Sequence, residues 1–164
     1  MEELVEVIDE NLKTIDIVPR NEVIEKKLRH KCALVLVRNN KGEFYLAQRK
    51  KTKKVFPGLW CAGAGGVVSK GESFEVAAAR ELEEELGIKV PLQFLCNFDY
   101  QGEVGQYKAK LFLALYDGEV EVDPVECEQG KWVSEEGLSE FFNNNWFAPD
   151  TALFFKKYLD EKDL

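Results

Sequence analysis

The sequence predicts an α/β (α+β) protein, with a mixed β-sheet lying between helical layers. Apolar runs such as Cys32 to Val37 and Ala109 to Tyr116 have strand character. Phe74, Ala78, Leu82 and Leu86 recur at helical spacing, and Gly87 stands where a left-handed C-terminal cap belongs. Strand and helix signals are mixed without regular alternation, which points to a mixed sheet rather than a uniformly parallel one. The length of 164 residues fits one domain covering residues 1–164. A domain of that size buries about 70% of the surface its unfolded chain exposes and needs no staples.

In order along the chain, Leu4 to Ile8 and Leu12 to Val18 read as two extended segments around Asp9-Glu10-Asn11. The Asp and Asn turn chemistry supports a hairpin there. Pro19 and Arg20 then open a short helix or loop reaching about Leu28, so residues 1–30 form an N-terminal hairpin and short helix. Cys32 to Val37 is a buried strand candidate. Asn39-Asn40-Lys41-Gly42 is a turn, and Phe44 to Gln48 is the expected hairpin partner. Arg49 to Lys54 is a basic loop closed by Phe56-Pro57-Gly58-Leu59-Trp60. Trp60 to Val68 is glycine-rich and strand-like, and Phe74 to Leu86 is a helix. Phe94 to Tyr100 and Ala109 to Tyr116 are strands joined near Gly102 to Gly105, and Lys131 to Val133 is a last short strand. Helices follow near Glu135 to Phe142 and Pro149 to Leu159, with Pro149 suited to a first turn.

Apolar residues make up 45% and charged residues 32% of the chain, the range of soluble globular proteins. A net charge of −8 argues against general affinity for nucleic acid or anionic membranes. Cys32, Cys61, Cys96 and Cys127 are scattered and form no Cys-x-x-Cys pair, which suits a reducing compartment. The acidic N-terminus lacks signal-peptide character, and no apolar run has membrane-spanning length. A cytoplasmic protein is expected, with no nucleic-acid or membrane partner. A homodimer is compatible with the sequence.

The chemistry concentrates in residues 66–88. Glu81, Glu84 and Glu85 fall at i, i+3 and i+4, which stacks three carboxylates on one helix face. Like charges so placed destabilise a helix unless something positive sits on them, and a hard divalent cation is suited to carboxylate oxygens. The alternative is a solvated acidic face. Glycines in the preceding loop let a backbone approach metal and phosphates closely.

Gly66, Glu72, Arg80, Glu81, Leu82, Glu84, Glu85, Gly87 and Ile88 together resemble the Nudix box without departure. The resemblance implies the Nudix fold, a mixed β-sheet in an α/β/α sandwich. It implies Mg²⁺ or Mn²⁺ as cofactor, held by Glu81, Glu84 and Glu85 with the Gly66 carbonyl. Glu81 serves as ligand or base. It also implies that Glu72 and Arg80 form an ion pair that ties the loop to the helix and orients the acids. Glu126 or Glu128 would supply a further ligand or base; a surface acid is the other reading. In the basic loop most lysines read as solvated. Arg49 ends a strand and carries a planar guanidinium suited to bidentate phosphate contact, so it is the first diphosphate-binding candidate and Lys53 the second. His30, Phe56 and Trp60 read as structural groups.

Val5 to Arg20, Leu28-Arg29-His30-Lys31, Gln48-Arg49 and Phe56 to Trp60 further resemble the isopentenyl-diphosphate-isomerase-like branch of Nudix proteins. That raises an isomerase as the rival reading. Counting from Trp60, the isomerase cysteine position is Gly65 and its metal-binding histidine position is Val67. Cys61 lies four residues too early. The isomerase Glu-x-Glu pair aligns with Gly105, Gln106 and Tyr107. Only His30 matches an isomerase histidine, and the box is intact. The expected activity is therefore metal-dependent cleavage of a diphosphate (pyrophosphate) bond in a small-molecule, nucleoside-diphosphate-linked substrate or nucleotide. A non-catalytic nucleotide sensor is the third reading, and the complete acid set argues against it.

Overall fold

The computed structural model describes residues 2–103 and 105–162, so Val104 in the expected Gly102 to Gly105 turn lies outside the described residues. β1 (Leu4–Ile8) and β2 (Thr14–Pro19) form an antiparallel two-stranded sheet of their own. The Asp9 carboxylate closes the turn between them, accepting the N–H groups of Asn11 at 2.8 Å and Lys13 at 3.0 Å. α1 (Arg20–Glu25) starts after Pro19, which needs no backbone donor there.

β3 (His30–Arg38) is the spine of a seven-stranded sheet. It is followed by β4 (Phe44–Arg49), β5 (Trp60–Ala62), β6 (Ala64–Val67) and α2 (Phe74–Leu86). Then come β7 (Leu92–Gly102), β8 (Gly105–Leu115) and β9 (Cys127–Val133). α3 (Glu135–Asn143) and α4 (Pro149–Lys162) complete the described chain. The order is β5-β4-β3-β8-β7, with β6 paired to β3 and β9 to β4. β3 runs parallel to β8 and antiparallel to its other neighbours, so the sheet is mixed as expected.

Two expectations are corrected. The β3–β4 hairpin closes only at its turn, where Arg38 pairs with Phe44. Beyond that pair β3 takes β6 and β8 as partners, and β4 takes β5 and β9. The strand-like stretch expected over Trp60 to Val68 is divided into two strands, because Gly63 adopts φ +66 and the chain changes partner there. A Cβ at Gly63 would lie 1.8 Å from the Val35 carbonyl oxygen, so only glycine fits this crossover.

The pleat of β3 sends its side chains to two cores. Ala33, Val35 and Val37 pack with Ala77, Ala78, Leu82 and Leu86 of α2. Leu34 and Leu36 pack with Phe44, Phe141 of α3 and Phe154 and Phe155 of α4. A strand buried on both faces reads as the unbroken apolar run seen in the sequence. Among the described residues no helix is long and apolar enough to cross a membrane.

Candidate active site

α2 is bounded by local chemistry. The Ser73 hydroxyl accepts the Val76 N–H at 3.1 Å, and Gly87 closes the helix at φ 67, ψ 22. Burying the alanine and leucine stripe under the sheet fixes the rotation of the helix. The turn carrying Glu81, Glu84 and Glu85 then opens onto a cleft of about 390 Å³. Glu81 is only 8% exposed, Glu85 is half-buried and Glu84 is exposed.

Arg80 is the cation of this cleft. Its Nε and Nη2 donate to the two Glu72 carboxylate oxygens at 2.7 and 2.9 Å, a bidentate pair. Glu72 also accepts the Ser69 N–H at 3.0 Å, which fastens the loop to the helix. Arg80 Nη1 donates to Glu81 Oε1 at 2.8 Å and to Glu84 Oε2 at 3.4 Å. Gly66 of β6 lies against the same acid: a Cβ there would stand 2.3 Å from Glu81 Oε1. The loop, β6 and α2 therefore meet at Glu81.

The carboxyls differ in proton affinity. The Arg80 hydrogen bond holds Glu72 below the usual carboxylate range. Burial raises Glu81, against the opposing effect of Arg80. Burial, followed by the facing Glu81 charge, pushes Glu85 well above the usual range. Seven carboxylates line the cleft against two guanidiniums, Arg20 and Arg80. Such an oxygen-rich, acid-excess lining suits a hard divalent cation. Among the described residues no three His, Cys, Asp or Glu groups converge at metal-ligand spacing, because Arg80 draws Glu81 and Glu84 to itself. The residues fit a cation by donor type and charge; they are not closed around a single point.

The remaining candidates separate. Glu126 lines the cleft, whereas Glu128 is exposed on β9 away from it. Lys53 pairs with Glu126 at 2.6 Å, so the two residues expected to act separately meet each other. Arg49 forms no ion pair among the described residues. Its Nε donates to the Val55 carbonyl at 2.7 Å, and it shares a recess of about 100 Å³ with Glu85. Trp60 is packed edge-on against Phe141, with ring centroids 5.5 Å apart, and is a core group as expected. His30 donates from Nδ1 to the Leu28 carbonyl at 2.9 Å, and burial lowers its proton affinity. Phe56 is half-buried and packs against the core as expected, and it also lines two inner pockets.

Sequence reasoning missed four residues. Asp123 lines the cleft and its N–H donates to the Glu85 carbonyl at 2.9 Å. Glu3 and Arg20 also line the cleft and form an ion pair at 3.3 Å. Asp150, in the first turn of α4, lines both inner pockets, and burial pushes its carboxyl up. None carries a local signal, since each arrives from an element far away in sequence.

The isomerase positions are structurally closed. A Cβ at Gly65 would lie 2.8 Å from Leu34 Cδ2 and 3.0 Å from the Ala33 carbonyl oxygen. Val67 is buried opposite Cys32. Burial pushes the Cys61 thiol up to about 12, far from a reactive thiolate. Tyr107 stands opposite His30 in the β3–β8 register, with no carboxylate in that place.

An acid-rich helix turn, a glycine strand against it and a bidentate Glu–Arg clasp meet in one cleft, and residues 28–162 match the NUDIX domain family. The chain belongs to the Nudix family. A protein of Pseudomonas aeruginosa described as an uncharacterized Nudix hydrolase is 31% identical over 96% of this chain and 94% of its own length. An isopentenyl-diphosphate Delta-isomerase 2 of Photorhabdus laumondii is 30% identical, over 98% of this chain and 92% of its own. A crystal structure from Deinococcus radiodurans superimposes with a TM-score of 0.84 at 21% identity, covering 95% of this chain and 99% of that one. The last likeness is one of fold, a mixed sheet with helices on both faces, and the family match makes it the Nudix fold.

Proposed function

We propose that the protein is a metal-dependent Nudix pyrophosphohydrolase that cleaves the diphosphate bond of a nucleoside-diphosphate-linked substrate or nucleotide. The observation that carries this reading is that Glu81, Glu84 and Glu85 line one carboxylate-rich cleft, with Gly66 lying against Glu81. Glu81, Glu84 and Glu85, with the Gly66 carbonyl, would hold Mg²⁺ or Mn²⁺. Such a cation, when bound, neutralises charge on the diphosphate and lowers the pKa of a water.

The chain's own groups do the rest. Arg80 and Glu72 hold the loop and helix in one geometry, so that the acids keep their spacing. Arg49 offers an unpaired guanidinium edge to a phosphate. Glu81 serves as ligand or base, and Glu126, steered by Lys53, is the further acid at the rim. Four free cysteines fit a cytoplasmic setting.

Phosphate release with Mg²⁺ across nucleoside diphosphates, dinucleotides, nucleotide sugars, coenzyme A and prenyl diphosphates tests the reading. Glu84→Gln and Glu85→Gln should each lower kcat/KM by about 10²-fold or more, the scale of losing a positioned acid–base group. Equal turnover by wild type and both variants would sink it. The Photorhabdus likeness favours isomerisation as a second reading, but Gly65 and Val67 occupy the places its chemistry would need.

A further inference from the structure

Behind the carboxylate cleft lies a second pocket of about 160 Å³. Arg20 lines both spaces. Gly66 lies between them, lining the inner pocket while its Cα approaches the Glu81 carboxyl. The 100 Å³ recess that holds Glu85 shares Arg49, Val55, Phe56, Gly65 and Asp150 with this pocket. The three spaces therefore share walls, so a molecule whose diphosphate rests at α2 has the inner pocket beside it.

The inner pocket combines an apolar wall with one carboxylate, Asp150, which shares the lining with Arg20, Arg49 and His30. Ile24, Leu34, Val55 and Phe56 supply the apolar wall. Asp150 Oδ2 accepts the Tyr107 hydroxyl at 2.7 Å, and Asp150 Oδ1 accepts the Thr151 N–H at 2.7 Å. An ionised carboxylate has about four acceptor sites, so each oxygen keeps capacity for another donor. Among the described residues Asp150 has no ion-pair partner, although Arg49 lines the same pocket with its Nε turned to Val55.

We infer that Asp150 and Tyr107 form a donor-selective subsite that reads the group attached to the diphosphate, and that this group ends in an amino-bearing heterocycle. The inference rests on the hydrolase reading above and extends it to the substrate's other half. Size supports it: sites for drug-sized ligands run from about 300 Å³ upward, so 160 Å³ takes one ring system and not a long chain. Polarity supports it as well. A hydrocarbon tail would strip water from Asp150 and return no hydrogen bond, which penalises a prenyl group. A heterocycle meets Phe56 and Leu34 with its faces and Asp150 with its N–H edge. Asp150 is the contacting residue; Tyr107 positions it.

The test compares adenosine diphosphate with purine riboside diphosphate, which lacks the amino group, and with geranyl diphosphate. Wild type should prefer the amino-bearing compound by about 10-fold or more in kcat/KM, as sites built around a buried acceptor do. Asp150→Asn keeps the shape and replaces one acceptor oxygen with a donor amide, so the preference should collapse to near unity. Tyr107→Phe should lower it by a smaller factor. The preference is a ratio within one preparation, so a partly unfolded sample does not alter it. Calorimetric binding of the two purine nucleotides, with the same expected ratio, reads the subsite without turnover. Equal treatment of the two nucleotides by wild type, or a ratio unchanged in both variants, overturns the inference. Binding preference with no phosphate release from any substrate overturns the hydrolase reading and leaves the subsite standing.

Discussion

Gly66 and Glu81 show at the scale of single residues how the site is made. The glycine's missing side chain is the space that the carboxyl occupies, at 2.3 Å from where a Cβ would stand. Gly66→Ala should therefore leave the fold intact, because the far end of Glu81 can swing, and should displace the acid from its neighbours. A loss of about 10²-fold in kcat/KM is expected, the cost of a misplacement of roughly 1 Å. A thermal melt within a few degrees of wild type should accompany it. Activity near wild type would show that the position of Glu81 is not critical. The Glu72–Arg80 pair was legible in the sequence through the resemblance to the Nudix box, which implies it. The Lys53–Glu126 pair was not, since it depends on how β4 and β9 pair across a register shift at Gln48/Arg49.

At the scale of elements, α2 ran from Phe74 to Leu86 as its periodicity implied, because Ser73 and Gly87 cap it locally. Its electrostatics give a pH prediction. Glu85 and Glu81 are raised by burial, so the fold prefers their protonated forms. The stability they contribute is fully present below the ordinary carboxylate pKa and is lost as pH rises through their folded values. Metal-free protein should melt at falling temperature as pH rises above the ordinary carboxylate range of about 4. Glu85→Gln should flatten that slope. Glu72 is shifted the other way, so its contribution exists above its ordinary pKa and disappears as pH falls below it. Melting curves in chelator, wild type against Glu85→Gln, check this; a pH-independent wild type would falsify it. The glycine-rich strand was less legible, because the need for φ +66 at Gly63 arises from the Val35 carbonyl in another strand.

The whole molecule is two apolar layers on one mixed sheet, and the site sits where α2, β6 and the N-terminal segment meet. Leu36, fully buried on the α3–α4 face, lies across the sheet from α2. Leu36→Ala should cost about 2–5 kcal/mol in urea unfolding, the range for large-to-small core changes. The folded protein should keep the kcat/KM of the proposed hydrolysis. A comparable loss of activity per folded molecule would mean that the two layers are mechanically coupled. The sequence by itself determined the family and the helix that carries the acids, because these depend on spacing within one loop and one helix, and the resemblance to the Nudix box implied the Glu72–Arg80 clasp. Only the tertiary structure decided which distant groups join them: Asp123, Glu3 and Arg20 at the cleft, and Asp150 with Tyr107 in the pocket behind it. Those juxtapositions are set by strand partners and helix docking, which burial of two core faces selects and which local spacing does not encode.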